Sequence, residues 1–276
     1  MSELHFPIDA AAIQGRVIRH PWMAAAIGAL AGLGRPIRML EIGSWAGSSC
    51  ATWGEALRRN GLAGSTIVCV DPWDGYISKT DIDSDRPVYR RMDEWAREGR
   101  VLPLFLSNAK AIEQRDDVRV VMMKGFSTEI CPLLAPESFD LVYIDGSHYY
   151  RDALFDVSIG KRLVRDGGIL SGDDLEIQLR DLPDAATYPE DVDVLTIPGR
   201  GNVHVGVTRA VGEQLGEVGM ENGFWYTRRE GSAFRPFALD TSKAFVSAHF
   251  GPQERAFIAE DIETGRAKLP KSLISA

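Results

Sequence analysis

Acids, glycines and a histidine recur at the ends of short apolar runs in this chain, which is how a parallel α/β protein builds a ligand site at one edge of its sheet. Residues 139–150 read Phe-Asp-Leu-Val-Tyr-Ile-Asp-Gly-Ser-His-Tyr-Tyr and carry Asp145 and His148 just past such a run; residues 168–174 end a second one in Asp173 and Asp174. If the two runs are neighbouring strands, their ends stand about 5 Å apart. Asp145, Asp173 and Asp174 can then converge on one hard cation, and magnesium suits them because it takes oxygen ligands and keeps waters for a substrate to displace. Each acid also has a structural use, as a helix cap for Asp173 or Asp174 and as a turn acceptor for Asp145. His148, three residues past Asp145, can take a proton from an acceptor hydroxyl as a neutral imidazole, or bond backbone at a helix start.

A second constellation lies earlier. Residues 39–49, Met-Leu-Glu-Ile-Gly-Ser-Trp-Ala-Gly-Ser-Ser, place Glu41, a glycine turn and a helix start directly after an apolar run. Gly43 and Gly47 let backbone approach a ligand, while Ser44, Trp45, Ser48 and Ser49 surround the turn and the helix N-terminus. A dinucleotide fingerprint needs G-x-G-x-x-G, but Trp45 stands where its second glycine would be, which disfavours a pyrophosphate and hence a nicotinamide cofactor. Asp71 ends the next run at the same edge and can accept both hydroxyls of a ribose, or serve as the turn residue before Pro72. Gly125, Phe126 and Ser127 follow a third run, where Phe126 either stacks on a base or fills core.

The elements that must position these residues are legible in the apolar pattern. Residues 37–42, 66–70, 118–123, 139–144 and 168–171 are short and nearly continuous apolar runs, as strands buried on both faces are, and helical patterns separate them. The spacing predicts helices at 22–33, with His20-Pro21 at its start, at 48–59, stopped by Asn60-Gly61, and at 150–164. Another is expected near 207–217, followed by an antiparallel hairpin from 224–228 and 234–239. The expected fold is α/β: a Rossmann-like, seven-stranded, mostly parallel sheet with helices on both faces and an antiparallel terminal hairpin. Residues 1–240 form one domain with N-terminal helices over 1–35. Two long connections, 72–117 and 175–202, sit where lids and acceptor pockets occur. The first contains an arginine-rich run, Arg86 to Arg100, whose interleaved acids indicate a solvated helix face. Residues 241–276 read as a polar helical tail, either an oligomerisation arm or a frayed end.

Bulk composition narrows the partners. With 276 residues, 45% hydrophobic content and a formal charge of −8, the chain can bury a substantial core and repels nucleic acid and anionic membranes. Small-molecule partners are expected, with no nucleic acid and no membrane. Cys50, Cys69 and Cys131 lack C-x-x-C spacing and read as reduced core thiols, and no signal peptide precedes them, so a cytoplasmic protein is expected. The polar tail and the N-terminal helix suggest a homo-oligomer.

The combined motifs resemble a known group, the S-adenosylmethionine (SAM) dependent O-methyltransferases of the macrocin type with their cephalosporin-hydroxylase-like relatives. The resemblance runs over residues 37–226 and rests on Leu40-Glu41-Ile42-Gly43, Val70-Asp71-Pro72-Trp73, Lys124-Gly125-Phe126-Ser127, Ile144-Asp145-Gly146-Ser147-His148 and Ser171-Gly172-Asp173-Asp174. It implies methyl transfer to a hydroxyl, on a sugar or another natural-product scaffold. Carried over by motif position, Glu41 and Gly43 would contact the methionine part of SAM, Asp71 its ribose, and Asp145, Asp173 and Asp174 a magnesium ion. On the reading of the residues themselves, His148 and Asp145 are the expected catalytic residues, with His148 or a metal-bound water accepting the acceptor proton. A hydroxylase-associated reaction and a non-catalytic SAM-binding module are the alternatives.

Overall fold

The structure is a computed structural model that describes residues 3–6, 16–75, 77–82 and 87–274. In chain order it runs α1 (Arg19–Gly28), β1 (Arg38–Ile42), α2 (Ser48–Arg59), β2 (Thr66–Asp71), α3 (Lys79–Ile82), α4 (Pro87–Arg97), α5 (Val101–Asp116), β3 (Arg119–Lys124), α6 (Ser127–Ile130), β4 (Phe139–Ile144), α7 (Tyr150–Leu163), β5 (Val164–Leu175), β6 (Leu195–Ile197), β7 (Gly201–Val203), α8 (Val205–Leu215), β8 (Gly219–Glu221), β9 (Gly223–Glu230), β10 (Ala233–Arg235) and α9 (Pro252–Glu263).

The sheet order is β10-β9-β5-β4-β1-β2-β3, with the five strands β1 to β5 parallel and β9 antiparallel to β5. The expected hairpin is β9 and β10, turned at Gly231 with φ 63°. An eighth strand, β8, pairs with β9 outside that path, and β6 with β7 forms a separate ribbon within the 175–202 connection. Strand β5 is longer than expected, because the chain passes from α7 into it without a loop.

Alternation along each strand divides the core. Met39, Ile67, Cys69, Leu141, Tyr143 and Ile169 face a layer that includes Trp22, Met23, Trp53 and Phe105. Leu40, Ile42, Val68, Val70, Val142, Ile144 and Leu170 face the opposite layer with Val157, Val207 and Val211. The three cysteines are free and buried.

One expectation changes. Residues 241–274 are no frayed end: Phe245, Phe250, Ile258, Ile262 and Leu269 are buried in the first layer, and Glu55 on α2 accepts from Ser247 Oγ and the Ala248 amide at 2.8 Å each. Helix α1 is likewise buried, from Arg19 to Ile27. Both features that suggested a homo-oligomer are thus used inside the chain. Residues 7–15 of the N-terminal segment, and Arg86 of the arginine-rich run, lie outside the described residues. No helix among those described is long and apolar enough to cross a membrane.

The topology fixes where a ligand goes. From β1 the chain moves to β2 and β3 on one side, and β4 and β5 lie on the other, so the carboxyl ends of β1 and β4 diverge at a switch point.

Candidate functional site

A cavity of about 400 Å³ opens at that switch point. Ile42, Gly43 and Trp45 wall it from β1, Val70, Asp71 and Pro72 from β2, Phe126 to Thr128 from the end of β3, and Asp145 to Ser147 from β4. Gly43 is required there by two constraints: its φ is 84°, and a Cβ would lie 1.9 Å from the Asp145 carbonyl oxygen, far inside van der Waals contact. Asp71 braces the loop, since its Oδ2 accepts from the amides of Ser44 and Trp45 at 2.9 Å each and its Oδ1 from Trp73 at 2.6 Å. It still forms part of the cavity wall and has lone-pair capacity for a further donor. Phe126 is 46% exposed, so it is a face of the cavity and not core.

A narrow recess, lined by Arg19, Gly43 to Ala46, Ser48, Ser49 and Asp145, adjoins the cavity. Asp145 therefore stands at the junction of the two spaces. Glu41, Gly47 and Gly125 are on neither wall among the described residues. Glu41 lies beneath the loop, fully buried, and accepts from Trp53 Nε1 at 3.0 Å and Cys69 Sγ at 3.7 Å; burial lifts its carboxyl to about 7.

The three acids expected to share a cation meet different partners. Arg19, 3% exposed, donates through Nη1 to Asp173 Oδ2 and through Nη2 to Asp145 Oδ2, the latter at 2.9 Å. Burial opposes the charge on Arg19, but Asp145 and Asp173 outweigh it and raise its pKa well above the ordinary value. Asp174 turns elsewhere. It has φ 61°, at a register shift between β5 and β9, and its Oδ2 lies 3.0 Å from His148 Nε2. Successive side chains of a strand point to opposite faces, which already parts Asp173 from Asp174, and the turn at Asp174 leaves it on His148.

His148 also donates Nδ1 to Asp193 Oδ1 at 2.6 Å. Burial would lower the pKa of this imidazole, yet Asp193 and Asp174 raise it well above the ordinary value. His204 joins the group, with its Nδ1 2.8 Å from Glu176 Oε1, and the two imidazole rings meet at 4.7 Å. Asp193 is held in turn by the hydroxyl of Tyr89 on α4, and Tyr149 donates its hydroxyl to Asp81 at 2.6 Å. The two long connections thus meet over the end of β4.

Residues 40–175 match the family described as "Methyltransferase domain". They form a methyltransferase domain. Among solved structures, the calicheamicin methyltransferase CalS11 is similar with a TM-score of 0.53 and 16% identity, over 77% of this chain and 78% of that one. The O-methyltransferase NovP gives 0.50 and 18%, over 77% and 80%. At these identities the likeness is one of fold. No curated protein sequence matches the chain.

Several residue expectations for the methyltransferase need revision. The oxygen set expected for magnesium is engaged, by Arg19 on Asp145 and Asp173 and by His148 on Asp174; Asp145 and Asp174 approach one another together with His148, whereas Asp173 joins no such group among the described residues, so the three acids do not form one all-oxygen set. His148 donates both ring protons to carboxylates and does not fit the role of a neutral base. Arg19, His204 and Asp156 went unrecognised in the sequence, as did Asp193 and Glu176, which meet the two histidines. Arg19 sits beside the His20-Pro21 helix start with no pattern to mark it, and His204 lies in an unremarkable stretch before α8. Asp156 had a signal: it interrupts the apolar face of α7 between Ala153 and Val157. It lines the cavity with Asp152, its Oδ1 has no partner, and burial lifts its carboxyl to about 7.

Proposed function

We propose that this methyltransferase uses SAM and transfers its methyl group to a hydroxyl of a small molecule, with a sugar or another natural-product scaffold as the acceptor class. The observation that carries the reading is the joined pair of spaces at the switch point, with Asp71 in the wall of the larger and Asp145 at their junction. The nucleoside occupies the larger space, its ribose on Asp71 and its adenine between Phe126 and the Asp152–Asp156 side, where the free Oδ1 of Asp156 accepts from the amino group. The amino-acid end enters the recess, beside Ser48, Ser49 and the N-terminus of α2. The sulfonium then lies near Asp145, beneath the meeting point of the two long connections. A hydroxyl acceptor is in keeping with NovP, an O-methyltransferase of the same fold.

In the reaction the acceptor oxygen forms a bond to the methyl carbon as the carbon–sulfur bond breaks, leaving S-adenosylhomocysteine, and the acceptor proton leaves the oxygen. Asp145 receives it. Its Oδ2 is held by Arg19 and by the Tyr143 hydroxyl at 3.2 Å, and burial raises its pKa above the ordinary carboxylate value, which makes it a better base. Holding nucleophile and methyl in attack geometry supplies up to about 7–11 kcal/mol of the barrier reduction. Magnesium on Asp145, Asp173 and Asp174 is left out of this mechanism because Arg19 holds two of those carboxylates.

The test is formation of S-adenosylhomocysteine from SAM across a panel of sugar and phenolic hydroxyls, in wild type and Asp145→Asn. The variant should keep SAM affinity within a few-fold and lose about 10²–10⁴ in turnover. Full turnover in the folded variant would contradict the role of Asp145, and no transfer to any hydroxyl despite SAM binding would contradict the acceptor class.

A further inference from the structure

The two histidines beside the methyl-transfer site form an arrangement that the transfer itself does not use. His148, Asp193 and His204 bring donor atoms within 4.8 Å of one another, although they come from the end of β4, the connection before β6 and the residue preceding α8. His148 presents Nδ1 to Asp193 at 2.6 Å, while Asp174 holds its Nε2 at 3.0 Å. His204 repeats the pattern: its Nε2 faces Asp193 Oδ2 at 3.8 Å, and Glu176 holds its Nδ1 at 2.8 Å. Each imidazole therefore aims one nitrogen at Asp193 and anchors the other on a carboxylate of its own. That is the outer arrangement which fixes the tautomer and ring orientation of a metal-binding histidine. Without a cation, His148 must carry protons on both nitrogens to serve both carboxylates. A divalent ion replaces the Nδ1 proton and leaves Nε2–H on Asp174.

We propose that His148, His204 and Asp193 bind a first-row divalent transition metal, with Asp174 and Glu176 orienting the two imidazoles. Two ring nitrogens and a carboxylate suit zinc, cobalt or iron; magnesium prefers an all-oxygen set. The three ligand side chains are 14–22% exposed, which gives an ion a route in and leaves room for water. The site shares His148 with a neighbouring group, Asp145, His148 and Asp174, whose donor atoms also lie within 4.8 Å of one another; it differs in taking two imidazoles and in leaving Asp145 and Asp173 with Arg19. It goes beyond the methyl-transfer reading and does not depend on it, because binding is measured without SAM.

The test uses the purified full chain, stripped with a chelator and dialysed against Co²⁺, with Zn²⁺ and Mg²⁺ in parallel. Metal content is read by mass spectrometry and Co²⁺ ligation by visible d–d absorption. The expected result is a single Co²⁺ per chain with visible bands, displaced by Zn²⁺ and not by Mg²⁺. His204→Gln and Asp193→Asn should each weaken Co²⁺ binding at least ~10-fold, and Glu176→Gln, which leaves all three ligands in place, by about 10–100-fold. Circular dichroism establishes that each variant is folded. A wild-type chain that retains neither Co²⁺ nor Zn²⁺ would overturn the proposal, as would Co²⁺ binding unchanged in folded His204→Gln and Asp193→Asn. Unchanged affinity in Glu176→Gln would overturn the orienting role.

Discussion

Replacing Asp156 by asparagine should stabilise the unliganded protein at alkaline pH and not at acidic pH. Asp156 faces the sheet from α7 at 2% exposure, and burial lifts its carboxyl from an ordinary 3.8 to about 7. Below about pH 3 the group is protonated in the folded and unfolded chains alike, so it carries no charge penalty. As pH rises from 3.8 to about 7 the unfolded chain has released this proton while the folded chain still holds it. Stability then falls by about 1.4 kcal/mol per pH unit, and the loss is complete above the window at about 4 kcal/mol. Asparagine removes the charge but keeps a buried amide with unmet hydrogen bonds, which costs about 1–3 kcal/mol. The net gain expected at pH 8 is about 2 kcal/mol, or about 4 °C in Tm for a chain of this size. Urea unfolding of wild type and variant at pH 4.5 and pH 8 measures it. A variant whose stability difference from wild type is the same at both pH values would refute the buried charge at Asp156.

Gly43→Ala should abolish SAM binding, because the added Cβ meets the Asp145 carbonyl at 1.9 Å and pushes apart the two loops that wall the cavity; calorimetry reads it, and wild-type affinity would contradict the packing. Phe126→Ala removes a face that is 46% exposed, so it should weaken SAM binding about 5–10-fold, the loss of one ring contact of about 1–1.5 kcal/mol, with Tm nearly unchanged. Arg19→Met leaves Asp145 and Asp173 buried without their cation and should cost about 3–5 kcal/mol at neutral pH, seen as a Tm lower by about 6–10 °C; an unchanged melt would show that the ion pairs are not formed.

Much of the architecture was legible because the strands are buried on both faces. The runs at 37–42 and 139–144 fall within a residue of β1 and β4, and helix 48–59 coincides with α2 because Gly47 and Asn60-Gly61 mark its ends. The 241–276 tail was misread for a physical reason. Helix α9 buries only Ile258 and Ile262, and the larger anchors, Phe245 and Phe250, lie in irregular backbone that carries no periodic pattern. The cavity wall was legible at the strand ends, at Gly43, Asp71, Phe126 and Asp145. The site was not legible where a partner arrives from far away in sequence. Nothing local to Arg19 shows that it reaches Asp145 and Asp173, 126 and 154 residues on. Pairing of His204 with Glu176, 28 residues apart, depends on the path of the 175–202 connection. The left-handed backbone at Asp174 is a distortion inside a strand, which residue type does not announce, whereas the parting of Asp173 from Asp174 follows from strand alternation alone.

Calorimetric titration of the purified chain with SAM, and in parallel with NAD, reads cofactor recognition without an acceptor. Micromolar SAM binding, competed by S-adenosylhomocysteine, and no heat from NAD are expected, because Trp45 stands where a pyrophosphate loop needs its second glycine. Binding of NAD alone, or of neither compound, would contradict SAM as the cofactor.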